Sequence, residues 1–254
     1  METLWKIKNL TKKFEVKSEF RSIKINALRN INLEIYKGEI LGLAGESGSG
    51  KTTLGKVIIR LIEPDEGKII YRDIDITKLS EKILRKYRKN FQIIFQDPYK
   101  SLNPRIPCGL TVMEGISGNK KEKYEKAVEI LNLVGIKKER FYDYPHQFSG
   151  GERQRIAIAR AIAPQPEFIV CDEPTSNLDV SIQGQILNLF IEFKDKFNLT
   201  YLFITHNLKI LKFLADRVGI MYKGEIVEIG KTEEIFENPK HPYTKKLLES
   251  SFAF

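Results

Sequence analysis

The first forty residues alternate. Ile31, Leu33 and Ile35 stand between polar neighbours, the period of a strand with one buried face, and Lys37-Gly38 supplies a turn. The pattern predicts β structure over residues 2–40 and a strand from Glu39 to Ala44. A glycine-rich stretch, GESGSGKTT, comes next, and beyond it Leu54, Val57, Ile58, Leu61 and Ile62 recur at helical spacing. The predicted order is therefore strand, loop, helix, closed by the turn chemistry of Glu63-Pro-Asp-Glu-Gly67.

From Lys78 to His146 the texture changes to amphipathic helices, with Tyr124, Ala127, Val128, Leu131 and Val134 on one face, which predicts a helical insertion. Strand and helix alternate again from Phe168: the apolar run FIVCD, a helix from about Ser181 to Phe197, and the strand TYLFIT. A hairpin follows over Arg217 to Ile229, turning at Lys223-Gly224, and short helices are predicted after Lys231. Such alternation around a glycine-rich loop predicts a mainly parallel α/β core.

Composition narrows the class. The chain has 254 residues, 42% hydrophobic and 30% charged, which excludes disordered and collagen-like chains and allows one large domain or two small ones. Its richest apolar stretch, Ile156 to Cys171, is interrupted by Arg160 and Glu167 and falls short of the roughly 18 residues a membrane span needs. The start, METLWKIKNLTKKF, lacks the apolar centre of a signal peptide, so a cytosolic protein is expected. Cys108 and Cys171 are too few for a four-thiolate metal site, and Cys171 inside FIVCD reads as a small buried hydrophobe. The net charge of +9 admits nucleic acid, an anionic membrane surface or a solvated lysine-rich exterior. Residues 78–146 hold 15 basic and 8 acidic side chains, so most of the excess lies there.

Chemistry enters with Gly45, Glu46, Ser47, Gly48, Ser49, Gly50, Lys51 and Thr52, which fit G-x-x-x-x-G-K-[ST] and are followed by Thr53. Glycines let consecutive backbone N–H groups face phosphate oxygens; Lys51 reaches the β and γ phosphates and the Thr52 hydroxyl can ligate Mg²⁺. Chance produces this pattern in roughly one chain in a hundred of this length. A phosphate loop still needs carboxylates to prepare water. FIVCDEP delivers Asp172 and Glu173 at the end of an apolar strand, where Asp172 would hold Mg²⁺ through water and Glu173 would act as general base. Ser149, Gly150, Gly151 and Glu152 open a third element, a helix start of the kind that binds anions or is simply capped.

Together these residues resemble the nucleotide-binding subunit of an ABC transporter over essentially the whole chain. The resemblance makes Gly45 to Thr52 Walker A, Gln96 in FQIIFQDP the Q-loop glutamine and Ser149 to Glu152 the signature. It also makes Asp172-Glu173 the end of Walker B, Ser176 to Asp179 the D-loop and His206 the switch histidine. The roles of Gln96, as a Mg²⁺ ligand and catalytic group, and of His206 come from the resemblance alone.

The fold it implies is α/β, a P-loop NTPase (RecA-like) core with an N-terminal antiparallel β subdomain and an inserted α-helical subdomain. Residues 1–96 and 165–230 would form the core and β subdomain, about 97–164 the helical subdomain, and 231–254 a helical tail. The family also implies a head-to-tail dimer in which ATP lies between Walker A of one cassette and the signature of the other, with Asp179 acting across the interface. An aromatic residue before Walker A stacks on adenine in the family; Phe14 in LTKKFEV is the candidate and Phe20 the alternative.

FQDPYKSLNPR, CDEPTSNLDVS and HPYTKKLL are similar to the oligopeptide, dipeptide and nickel importers. That implies a related second cassette as a heterodimer partner, a homodimer being the alternative, with two membrane permease subunits and, indirectly, an extracytoplasmic solute-binding protein. No nucleic acid is expected. Glu152, Asn177 and Asn207 depart from the usual Gln, Ala and Asp of the family, and the cysteine-bearing tail of some peptide cassettes is not expected. An accessory cassette of a phosphonate-degrading complex and a nucleic-acid-associated ATPase are the alternative readings.

Overall fold

The computed structural model describes residues 2–18 and 21–252, so Phe20 lies outside the described residues. The chain divides into two compact units, one formed by residues 1–84 and 200–254, the other by residues 85–199.

The first unit opens with two long antiparallel strands, β1 (Thr3–Ser18) and β2 (Arg21–Tyr36). The alternation that predicts them is realised: Ile31, Leu33 and Ile35 are buried, with Trp5 opposite Ile35 and Ile7 opposite Leu33. Then come β3 (Ile40–Ala44), α1 (Lys51–Ile58), β4 (Glu66–Tyr71), β5 (Ile74–Asp75) and α2 (Glu81–Leu84). The strands β2-β1-β4-β5 make one antiparallel sheet, anchored by Trp5 and Tyr71 with ring centroids 4.9 Å apart.

Helix α1 ends sooner than its apolar spacing predicts. Arg60 adopts φ +56°, its N–H bonds Val57 O and the Leu61 N–H bonds Lys56 O, both at 2.9 Å, a Schellman stop with arginine in the place usual for glycine. Leu61 and Ile62 therefore lie outside the helix, and Leu61 is exposed. The buried Arg60 guanidinium holds the stop in place by donating from Nε to Ile76 O (3.1 Å) and from Nη2 to Leu79 O (3.2 Å).

The second unit contains β6 (Phe91–Ile94), α3 (Pro98–Ser101), α4 (Cys108–Met113), α5 (Lys120–Leu133), α6 (Gly150–Ile162), β7 (Phe168–Asp172) and α7 (Val180–Phe197). The helical texture from Lys78 thus hides a strand. FQII is too short an apolar run to be told from a buried helix by period, and pairing decides it: Phe91 to Ile94 run parallel to Phe168 to Cys171. Both cysteines are buried; burial pushes the Cys108 thiol up to about 12 and the Cys171 thiol well above its usual value.

The chain returns to the first unit through β8 (Thr200–Ile204), α8 (Leu208–Leu214), β9 (Arg217–Tyr222), β10 (Glu225–Lys231), α9 (Thr232–Glu237) and α10 (Pro242–Phe252). Strand β3 lies between β8 and β9, parallel to both, and every residue of β3 and β8 is buried, as a strand covered on both faces requires. Because Leu43 pairs with Ile204 and Ala44 with Ile220, the residues after all three strands emerge at one carboxyl edge. The phosphate loop follows β3, His206 follows β8, and Tyr222 ends β9. No helix among the described residues is long and apolar enough to cross a membrane.

Candidate nucleotide site

The phosphate loop is built against the β9–β10 turn. Gly45 has φ +147°, and a side chain there would collide with Met221 O, so only glycine lets the loop leave β3 along this path. Gly224 N donates to Ser49 O at 2.9 Å and Ser49 N to Glu46 O at 3.2 Å, so the loop is hydrogen-bonded both to itself and to the hairpin. Gly50 is the N-cap of α1 and offers no side-chain acceptor, and the first turn carries no acidic residue. The N-terminal N–H groups and helix dipole therefore face outward without a competing anion on the helix itself. Lys51 is buried, and its ammonium donates to Gly45 O and Glu46 O, both at 2.7 Å, and to Ser49 Oγ at 3.3 Å.

In the second unit the parallel register of β6 and β7 brings two predicted residues together. Gln96 follows β6, Glu173 follows β7, and Gln96 Nε2 donates to Glu173 Oε2 at 3.1 Å. Ser176 joins them: its Oγ lies 3.5 Å from Gln96 Nε2 and donates to Glu173 O at 3.1 Å. Glu173 has φ +48°, a left-handed conformation that costs a non-glycine residue about 1 kcal/mol, and it ends a strand whose five residues are all buried. Asp172, the last of those five, is 5% exposed and presents a carboxylate at the strand's carboxyl end.

The start of α6 differs in kind from that of α1. Ser149 is its N-cap and accepts the Glu152 N–H at 3.3 Å, while Glu152 accepts the Ser149 N–H at 2.8 Å, a closed capping box. Glu152 also meets Arg140, whose Nη1 lies 2.5 Å from Oε1. The Ser149 backbone N–H and, less strongly, the Arg140 guanidinium hold the Glu152 carboxyl below its usual value. The single chain thus shows the capped-helix form of this element, with an anion of its own in the first turn. Gly151 is a close-approach glycine, since a Cβ there would come within 2.8 Å of Ile182 Cγ2 on α7.

The profile of the ABC transporter family matches residues 28–176, more than half of the chain. The chain belongs to the ABC transporter family. A second profile, for the C-terminal region of oligopeptide/dipeptide transporters, matches residues 227–254. The chain is 48% identical over 232 residues to the oligopeptide transport ATP-binding protein OppF of Bacillus subtilis, covering 89% of this chain and 76% of that one. It is equally similar, 48% over 231 residues, to the dipeptide transport ATP-binding protein DppF of Lactococcus lactis, covering 88% and 74%. Among solved structures, the dimeric ATP-binding cassette MJ0796 in a post-hydrolysis state bound to ADP and phosphate superposes with a TM-score of 0.80 at 30% identity. That match covers 90% of this chain and 98% of that one. The cbiO1 cassette of Clostridium perfringens gives the same TM-score at 26% identity, over 94% and 92%. The expected P-loop ABC fold, with its antiparallel β and helical parts, is the fold found.

Of the residues that the sequence singles out, Gly45 to Thr53 and His206 lie in the first unit, and Gln96, Ser149 to Glu152, Asp172, Glu173 and Asp179 in the second. His206 is exposed, just beyond the buried Thr205. Asn207 caps α8, accepting the Lys209 N–H at 3.0 Å and donating from its own N–H to Thr205 Oγ1 at 3.1 Å, a task that Asn performs as well as the family's Asp. Asp179 caps α7 through the Ile182 N–H at 2.9 Å. Phe14 is 37% exposed on β1 beneath the Lys12 ammonium, which lies 5.5 Å from the ring centroid, so it is not a core residue.

Two residues near these motifs escape sequence reasoning. Arg140 joins Glu152 to Asp143 (2.9 Å) and Gln147 O (2.8 Å) and lies 3.9 Å from the Phe148 ring centroid, yet nothing marks a lone arginine twelve residues before its partner. Tyr243 touches the phosphate loop from the far end of the chain. HPYT draws notice as a subfamily marker, without chemistry attached to it.

Proposed function

We propose that this cassette binds and hydrolyses ATP to energise uptake of oligopeptides or dipeptides through two membrane permease subunits. The observation that carries the reading is a phosphate loop and an Asp172-Glu173 strand end in a chain whose C-terminal region matches the oligopeptide/dipeptide transporter profile. The relatives' names favour peptides over nickel as cargo.

In this reading the N–H groups of Ser47, Gly48 and Gly50 to Thr53 and the Lys51 ammonium hold the β and γ phosphates. Thr52, Gln96 and Asp172 offer a hydroxyl, an amide and a carboxylate, an all-oxygen set that fits a hard cation such as Mg²⁺, with Asp172 acting through water. Mg²⁺, when bound, supplies charge neutralisation on the phosphates. The Glu173 carboxylate takes a proton from the attacking water as its oxygen bonds the γ phosphorus and the bond to ADP breaks. His206, at the same strand edge as the loop, contacts the γ phosphate, and Phe14 stacks on adenine. A partner cassette, most simply a related second chain, supplies Ser149, Gly150, Gly151 and Glu152 to complete the pocket, with Asp179 at the shared interface. Closure of the pair moves the permeases. The cassette is then peripheral to the cytoplasmic face of the membrane, where the basic residues of 78–146 meet anionic headgroups, and a solute-binding protein delivers peptide from outside.

Reconstitution with candidate permease subunits in vesicles, with ATP inside and labelled di- to pentapeptides or Ni²⁺ outside, tests the reading. ATP-dependent peptide uptake that is lost with Lys51→Ala is the expected result. Uptake of Ni²⁺ alone, or none in an assembled complex, would overturn the cargo. Mixing Lys51→Ala and Ser149→Arg chains should restore part of the ATPase activity if sites are shared between subunits; no recovery in mixed dimers overturns the shared site.

A further inference from the structure

Tyr243 is 197 residues from Glu46 in sequence, and its hydroxyl accepts the Glu46 backbone N–H at 3.2 Å. Glu46 is the second residue of the phosphate loop. The Tyr243 ring packs on Tyr222, with centroids 4.1 Å apart and planes inclined by 31°. Tyr222 closes β9 immediately before the turn whose Gly224 N–H holds Ser49 O, and its neighbour Met221 provides the carbonyl behind Gly45. Three residues of the loop, Gly45, Glu46 and Ser49, therefore rest on one surface made by the β9–β10 turn and the start of α10.

That start is itself anchored. Glu228 on β10 accepts the Lys240 N–H at 2.8 Å and the His241 N–H at 3.0 Å, His241 Nδ1 accepts the Tyr243 N–H at 3.1 Å, and Thr244 is fully buried. Burial would raise the Glu228 carboxyl, but the Lys240 and His241 N–H groups bonded to it help to hold it low, so the anchor is an ionised acceptor. Burial raises the Tyr243 phenol, which keeps its proton. Three residues of His-Pro-Tyr-Thr thus have work that their chemistry suits: a ring nitrogen as acceptor, a proline at the first turn of α10, and a ring with a hydroxyl, while Thr244 packs as a small buried side chain.

We infer that the His241-Pro242-Tyr243-Thr244 segment is a strut for the phosphate loop, and that Tyr243 is a positioning residue for ATP. A loop that must order itself as it binds loses affinity to conformational entropy, and a contact that holds it beforehand returns that affinity. The strut also ties the docking of the C-terminal helix to nucleotide affinity: a partner or a modification that lifts α10 weakens ATP binding without touching a phosphate ligand. The inference rests on the ATP reading above.

Tyr243→Phe keeps the ring on Tyr222 and deletes only the hydroxyl. Two measurements decide it, made on the whole chain: amide exchange at Glu46 in nucleotide-free protein, and the KM and kcat for ATP. Loss of one such bond should raise Glu46 exchange and the KM each about three- to tenfold, with kcat within twofold and the thermal midpoint unchanged. Tyr222→Leu, which removes the ring support, should move both in the same direction. Unchanged Glu46 exchange, unchanged KM, or a fall in kcat and thermal midpoint together would overturn the strut. A wild-type protein without ATP affinity would instead overturn the ATP reading, while wild-type affinity with an unmoved variant overturns the strut alone.

Discussion

Gln96 donates its side-chain amide to the Glu173 carboxylate at 3.1 Å. Each residue lies two positions beyond the pair Ile94–Cys171 of the parallel strands, so the sheet register rather than any local motif makes them neighbours. A donor on one carboxylate oxygen orients the group.

Glu173→Gln tests that role. The variant should bind ATP as tightly as the wild type and release phosphate about 100-fold more slowly or worse, the upper part of the range for losing a general base. Near-normal turnover in a phosphate-release assay would show that another group takes the proton.

The left-handed backbone of Glu173 makes a separate prediction. Glu173→Gly removes the side chain and the conformational penalty together, so urea unfolding should find it at least as stable as Glu173→Ala by about 1 kcal/mol, although both are inactive. Equal stability of the two would mean that the residue is not held at positive φ in solution.

Gln96→Glu would place a second carboxylate against Glu173. Like charges this close do not both ionise readily, so the pair should hold a proton to higher pH and the acid limb of the hydrolysis profile should move upward. The ratio of rates at pH 6 and pH 8 should fall relative to wild type, with Gln96→Ala as the uncharged control. Parallel profiles for the two variants would separate Gln96 from Glu173 in the working enzyme.

Glu152 predicts a pH dependence of stability. Its carboxyl is held below the usual value near 4.5 by the Ser149 N–H and then by Arg140, so the stabilisation is present above that value and is lost as pH falls through the lower folded one. Glu152→Gln keeps an acceptor for the capping box and loses the ion pair. Urea midpoints should show a gap below about 1 kcal/mol at pH 7 that closes as pH falls through the lowered value of the folded carboxyl; a gap independent of pH would assign the effect to packing.

Arg60 stops the helix that carries Lys51 and Thr52. Arg60→Ala leaves Ile76 O and Leu79 O without their guanidinium donor while keeping a β-carbon at φ +56°, for a cost of about 2–4 kcal/mol from the lost bonds. Arg60→Gly should recover about 1 kcal/mol of that through its backbone freedom. Chemical denaturation ranks the three, and an Arg60→Ala protein as stable as wild type would sink the account.

Much of this cassette is legible in its sequence because the signals are local. Ile31, Leu33 and Ile35 alternate because one face of β2 is buried, FIVC is uniformly apolar because β7 is covered on both faces, and the phosphate loop announces itself by glycines that its backbone path requires. What the tertiary structure alone decided are the pairings between distant segments. FQII is a strand because Phe168 to Cys171 lie beside it, α1 ends at Ile58 because Ile76 O and Leu79 O await Arg60, and Glu152 is ion-paired because Arg140 folds back over Phe148. The contacts of Gln96 with Glu173 and of Glu46 with Tyr243 belong to the same class. Periodicity and turn chemistry report how a segment satisfies its own backbone and which face it buries; which distant group meets a given side chain depends on the register and packing of whole elements, and no local pattern records it.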